Sequence, residues 1–156
     1  MIRGGRQVKL FVRENQNLAE TEVEIRCNER DTEVENLIYA INSAANVIIG
    51  EKENGDKIPV YITKVLYFEA VDRSVYAYTG SDIFRVKKTM YDIEDLVSND
   101  HYVRISKSVI VNLRAVRKIS PDSGRRLKLL LSSGEWVIVS RNYVEDFKQS
   151  IGMKGV

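Results

Sequence analysis

The chain has one cysteine, Cys27, and one histidine, His101, among its 156 residues. A lone thiol cannot close an internal disulfide, and it fits a reducing compartment such as the cytoplasm. One Cys and one His cannot assemble a zinc site, so neither a metal nor another cofactor is expected. His101 follows Asn99-Asp100 in a polar stretch and reads as a surface side chain. No glycine-rich phosphate loop is present, because Gly4-Gly5 precedes a strand pattern and not a helix N-terminus. Asp92, Glu94 and Asp95 cluster, but on a short helix pattern where acidic charge complements the dipole. The common catalytic constellations are thus missing; neither enzymatic activity nor a small-molecule substrate is expected. Apolar runs are equally scarce. The longest, such as 129–131 and 136–139, fall far below the roughly 20 residues of a membrane span. The basic start Met1-Ile2-Arg3-Gly4-Gly5-Arg6 is followed by no apolar signal core.

What is present is uneven charge. The formal net charge is +2. Residues 1–57 hold eight Lys/Arg against eleven Asp/Glu, a net −3, and residues 58–156 hold sixteen against eleven, a net +5. Between His101 and Lys128 lie eight cations, and Asp122 is the only carboxylate. Such asymmetry suggests an anionic partner for the basic part, although a solvated Lys/Arg face would look the same.

Patterning predicts a mostly β chain with a few short helices. Val8, Leu10 and Val12 alternate with other residues, as do Val23, Ile25 and Cys27, and both read as half-buried strands. Thr32-x-x-Glu35 has the form of a capping box. After it Val34, Leu37, Ile38, Ile41, Ala44 and Ala45 recur at helical spacing, giving an amphipathic helix over about 33–45 that must bury its stripe. Asn54-Gly55 marks a hairpin between 47–52 and 57–62. Strands follow over 64–70, 75–79, 83–87, 103–111, 115–120, 126–131 and 135–140. Thr89 caps a short helix that turns Met90, Ile93, Leu96 and Val97 inward. A last helix from about Asn142 buries Tyr143, Val144 and Phe147, and Trp136 is expected in the core. A boundary near 54–59 would separate an acidic strand-strand-helix-strand lobe, 1–56, from a basic β domain, 57–152.

Basic residues beside turns carry the functional signal. Arg73 lies in the Val71-Asp72-Arg73-Ser74 turn, Lys107 stands between Ser106 and Ser108, and Arg141 between Ser140 and Asn142. Arg and Lys can donate to guanine O6 and N7 in the major groove, while small polar neighbours satisfy phosphates. The 33–45 helix has no Lys or Arg and would repel DNA, so loops must do the reading. The runner-up reading is a non-catalytic protein-interaction module with a basic surface.

Three motifs resemble the LytTR family of bacterial DNA-binding effector domains. They are Val65-Leu66-Tyr67-Phe68-Glu69-Ala70 with Ser74-Val75-Tyr76-Ala77-Tyr78; Tyr102-Val103-Arg104-Ile105-Ser106-Lys107-Ser108-Val109-Ile110-Val111-Asn112-Leu113; and Val137-Ile138-Val139-Ser140-Arg141-Asn142-Tyr143. The resemblance covers about 59–151. It implies an elongated fold of several small sheets, whose loops enter successive major grooves of double-stranded DNA. Base contacts then fall to Arg73, Lys107 and Arg141. Ser74, Arg104, Ser106, Ser108, Arg114, Arg117, Lys118, Ser140 and Asn142 would serve as backbone or supporting contacts. The chain departs from the family at Ser106, where His is common, and at Val75, where some members place a His. Arg73 is preferred in the first loop because it can donate hydrogen bonds. The first lobe lacks the length and the alternating β/α start of a phosphorylatable receiver, so the chain resembles stand-alone LytTR regulators. These imply paired direct repeats as targets, self-association at least on DNA, and in some cases a membrane protein that restrains them.

Overall fold

A computed structural model describes residues 7–98 and 101–152. The basic start at 1–6 and the Asn99-Asp100 pair lie outside the described residues. Period-two side-chain alternation organises the central strands. In β3 (Val65–Val71) the neighbours Tyr67 and Phe68 are both buried but belong to different hydrophobic clusters, and in β7 (Val109–Asn112) Ile110 and Val111 divide in the same way. Successive side chains point to opposite faces of a strand, so these two strands are covered on both sides.

The described strands form two antiparallel sheets. The larger has seven strands in the order β2-β1-β5-β4-β3-β7-β6. Its other members are β1 (Val47–Glu51), β2 (Lys57–Tyr61), β4 (Ser74–Thr79), β5 (Ile83–Val86) and β6 (Tyr102–Arg104). The smaller has three, β10-β9-β8, formed by β8 (Val116–Asp122), β9 (Arg126–Leu131) and β10 (Trp136–Val139). Helix α2 (Met90–Leu96) closes one face of the large sheet, with Met90 and Ile93 packed among Phe68, Val86 and Ile110. Thr89 and Asp92 make the expected reciprocal cap at its start. The other cluster joins Tyr67 and Val111 to the small sheet and to helix α3 (Val144–Ser150), which inserts Phe147. Removing a ring buried as completely as that of Phe68 or Phe147 costs about 3–5 kcal/mol.

Polar links reinforce the junction of the sheets. The Tyr67 hydroxyl donates to Glu135 at 2.7 Å across 68 residues, and its ring stacks on Tyr78 at 4.3 Å. Burial, and then the hydrogen bond to Glu135, push the Tyr67 phenol well above its ordinary value. Buried Asn112 donates to the Val65 carbonyl at 3.2 Å and accepts from the Arg114 amide at 3.0 Å. Gly50, paired with Val86, is required by close packing: a Cβ there would lie 2.7 Å from the Phe84 Cβ.

Several expectations are corrected. Residues 8–12 and 23–27 form no strand, and Leu10 and Val12 are 87% and 82% exposed. Their alternation finds no partner strand, and a single strand without one cannot satisfy its backbone or cover a face. Helix α1 (Thr32–Ala45) forms, but Asp31 is its N-cap and not Thr32: the Asp31 carboxylate accepts from the Val34 amide. Its stripe residues Val34, Leu37, Ile38 and Ile41 are only half-buried, and Ala44 and Ala45 are exposed. The β1–β2 hairpin spans residues 54–59, and because β1 also bonds to β5 the hairpin is part of the large sheet. Leu96 turns outward. Trp136 is 45% exposed, because β10 buries Val137 and Val139 and the pleat sends Trp136 and Ile138 outward. Lys128, on the paired strand, lies 4.9 Å from the Trp136 ring.

Candidate nucleic-acid interface

Three loops are bonded in a row. In the first, β3 and β4 are joined by Asp72 and Arg73, with Val71 paired to Ser74. Both turn residues have positive φ, 47° and 66°, as a two-residue hairpin turn of the primed type demands. Glycine is favoured at such positions, yet here the second carries a guanidinium. Next to this turn the Ala70 amide donates to the Ser108 carbonyl at 2.8 Å. That bond attaches the second loop, residues 105–108 between β6 and β7, which presents exposed Lys107. The Ile105 carbonyl in turn accepts from the Ser140 amide at 2.9 Å and from its hydroxyl at 3.3 Å. Ser140 precedes exposed Arg141 and Asn142, at the start of the 3-10 turn Arg141–Tyr143 that leads into α3. The structure therefore brings the loops of Arg73, Lys107 and Arg141 together through main-chain hydrogen bonds.

The second loop is braced from within. Arg104 donates to the Ser106 carbonyl at 3.1 Å and the Lys107 carbonyl at 2.6 Å, and pairs with Glu94 of α2 at 2.9 Å. Its guanidinium is engaged in shaping the loop that presents Lys107. Ser106 and Ser108 reinforce this shape, since the Ser108 amide donates to the Ser106 hydroxyl at 3.2 Å. Ser74 stands at the foot of the first turn and is half-buried.

The remaining cations lie elsewhere. Arg114, in the turn Leu113–Ala115 after β7, sits 4.8 Å from the Tyr39 ring of α1, at the opposite end of β7 from Lys107. Arg117 donates to the Arg114 carbonyl, and Lys118 follows it near the start of β8. The far end of that seven-residue strand is about 20 Å away at ~3.3 Å per residue. At that far end lies a feature the sequence reading missed. A cleft of about 370 Å³ is lined by Ser123, Gly124, Arg126, Ser140, Arg141 and Asn142. Arg126 was legible only as one of many cations; the signal was its place just after the Pro121-Asp122-Ser123-Gly124 turn. Among the described residues no group of His, Cys, Asp or Glu side chains could hold a metal ion, and no helix is long and apolar enough to cross a membrane.

Residues 55–152 match the family described as the LytTr DNA-binding domain. A solved LytTr DNA-binding domain from Bacillus cereus is 31% identical, superposes with a TM-score of 0.64, and the match covers 68% of this chain and 96% of that one. A protein described as an HTH-type transcriptional regulator from Staphylococcus aureus strain bovine RF122 / ET3-1 is 25% identical over 149 residues, covering 94% of this chain and 99% of the relative. A regulator of the same description from strain NCTC 8325 / PS 47 is 24% identical over the same span. Among the described residues of this chain, α1 and α2 are separated by five strands, and α2 and α3 by five more, so they form no helix-turn-helix pair.

Proposed function

The chain belongs to the LytTR DNA-binding domain family and is a DNA-binding transcription regulator, and from this premise we propose that it reads successive major grooves of duplex DNA through three loops. Arg73, Lys107 and Arg141 contact base edges. Ser74, Ser106, Ser108, Ser140 and Asn142 support them or reach phosphates. Arg104 holds the Lys107 loop in shape, and Arg114, Arg117 and Lys118 are outlying cations with a weaker part. The observation that carries this reading is the row of main-chain bonds from Ala70 to Ser108 and from Ile105 to Ser140. No catalysis, cofactor or small-molecule substrate enters, and the protein acts in the cytoplasm.

The test uses a duplex selected by the chain from a randomised pool and an unrelated duplex of equal length. Lys107→Ala and Arg141→Ala should each cost about 1–3 kcal/mol on the selected duplex and relax the preference at one base position. Unchanged affinity of both variants for the selected duplex would sink the assignment and favour a protein-interaction role for the basic loops.

Residues 7–45 are assigned to self-association on paired direct repeats. The support is the exposed apolar set Val8, Leu10, Phe11, Val12 and Val23, with the half-covered stripe of α1. An inhibitory membrane protein is the other occupant to be tested. Deleting residues 1–28 leaves Asp31 and all described strands in place. The deletion should preserve affinity for one site and abolish cooperativity on two. Retained cooperativity would transfer these residues to the inhibitory partner.

A further inference from the structure

The cleft between the β8–β9 hairpin and the turn after β10 is shallow and open to solvent. Leu127 pairs with Val139, so the next residues along, Arg126 and Ser140, face each other across adjacent strands, and Arg141 follows. Two guanidinium groups, two serines, an asparagine amide and a glycine line the space, and none of the lining residues is acidic. A carboxylate stands beside the cleft, that of Asp122, which pairs with Arg126 at 2.9 Å. Arg126 also donates to the Ser123 carbonyl at 3.1 Å, which aligns its guanidinium with the hairpin tip. The Asp122 side chain is 22% exposed and that of Arg126 45%, so the guanidinium keeps an open side that can meet an incoming anion.

The hairpin tip adds a second observation. Asp72, Arg73 and Arg125 are the only non-glycine residues with positive φ among the described residues. Arg125, at 62°, follows Gly124 at 68° and is exposed. The β8–β9 tip thus repeats the feature of the β3–β4 tip: a long cation stands where the backbone favours glycine. Backbone kept in a sparsely populated region clusters at functional sites.

The geometry points to an additional DNA-backbone site here, in which one phosphodiester sits between Arg126 and the Arg141-Asn142 turn while Arg125 reaches the same strand from the tip. This inference rests on the DNA-binding reading above. It adds a fourth contact element, the β8–β9 hairpin, placed so that the base-reading role of Arg141 and the phosphate-holding role of Arg126 lie side by side. Phosphate contacts of this kind fix register on the duplex without reading sequence.

The experiment measures binding of the full chain to the selected duplex and to the unrelated one, by fluorescence anisotropy across a salt series. Arg126→Ala should weaken binding to both duplexes by the same factor, about fivefold to twentyfold. The slope of log K against log salt should flatten by about one unit. Because Arg126→Ala also releases the Asp122 carboxylate, the double variant Asp122→Asn/Arg126→Ala is measured beside it and should show the same loss of slope. Arg125→Ala should show a smaller, equally sequence-independent loss. A double variant with the parent's slope and affinity overturns the phosphate site, and so does an Arg126→Ala variant that loses preference for the selected duplex but keeps its slope. Failure of the underlying reading has a different signature: Arg141→Ala and Lys107→Ala would then leave discrimination between the duplexes intact, whatever Arg126 does.

Discussion

Residues 8–12 and strand β10 carry the same kind of pattern and have opposite fates. Val8, Leu10 and Val12 alternate along the chain as Val137 and Val139 do. The first set is exposed and unpaired, while the second is buried against Leu129 and Phe147. The difference is the neighbour. Strand β10 has β9 beside it in antiparallel register, closed by the Ser132-Ser133-Gly134 turn with Gly134 at positive φ. Residues 8–12 have no such turn leading to a complementary strand. An alternating pattern offers one apolar face, and burial requires a second strand and a covering layer.

That contrast can be broken most directly in the core. Phe147→Ala should cost about 3–5 kcal/mol in denaturant unfolding, and Leu10→Ala should change stability by no more than about 0.5 kcal/mol. A Leu10→Ala loss of core size would mean that the first residues pack on the body after all. Next in size, Gly50→Ala should destabilise by about 1–3 kcal/mol, because the added methyl meets the Phe84 side chain inside the sheet. A neutral result would show that β1 is held loosely and groups with residues 7–45 and not with the sheet.

Trp136 sharpens the comparison within β10 itself. With its ring half-exposed beside Lys128, Trp136→Ala should cost only about 0.5–1.5 kcal/mol. As the sole tryptophan, it should also fluoresce at the long wavelengths of a solvated indole. Short-wavelength emission and a loss of core size would restore the expectation that it is buried. The smallest effect concerns the cap of α2. Hydrogen bonds from the Thr89 backbone and hydroxyl hold the exposed Asp92 carboxyl below its ordinary value, about 3.9. A depressed folded value means that the carboxylate stabilises above that ordinary value, and the contribution is lost as pH falls through the folded one. Asp92→Asn should therefore lessen the drop in stability below about pH 4. An acid limb identical to the parent's would remove Asp92 from the account.

Local chemistry was legible wherever a few adjacent residues decide the outcome. The Thr89–Asp92 cap, the Asn54-Gly55 hairpin and the inward Val144 and Phe147 are all set by nearest neighbours. The loops of Arg73 and Arg141 were legible as loops, because each stands among polar residues at the end of a strand pattern, whereas Lys107 fell inside the strand expected over 103–111, which the structure breaks between β6 and β7. The adjacency of the three was not legible, since it depends on two hydrogen bonds that each span more than thirty residues, Ala70 to Ser108 and Ser140 to Ile105. The bracing of the Lys107 loop by Arg104 was hidden for the same reason. A cation in a basic stretch suggests a phosphate contact, but its carbonyl and Glu94 partners exist only once α2 and the 105–108 loop are folded together.

The sequence by itself determined the mostly β character, the helix caps and turns, and the motif residues of a LytTR domain. These rest on backbone preferences and short-range hydrogen bonds acting over a few residues. Only the tertiary structure decided which alternating segments became strands, which way Trp136 faced, and that β1 and β2 join the large sheet. It also decided that Arg126 stands opposite Ser140 in a cleft beside Arg141. Each of these is a matter of register and of which strand lies alongside, and no single segment carries the identity of its neighbour.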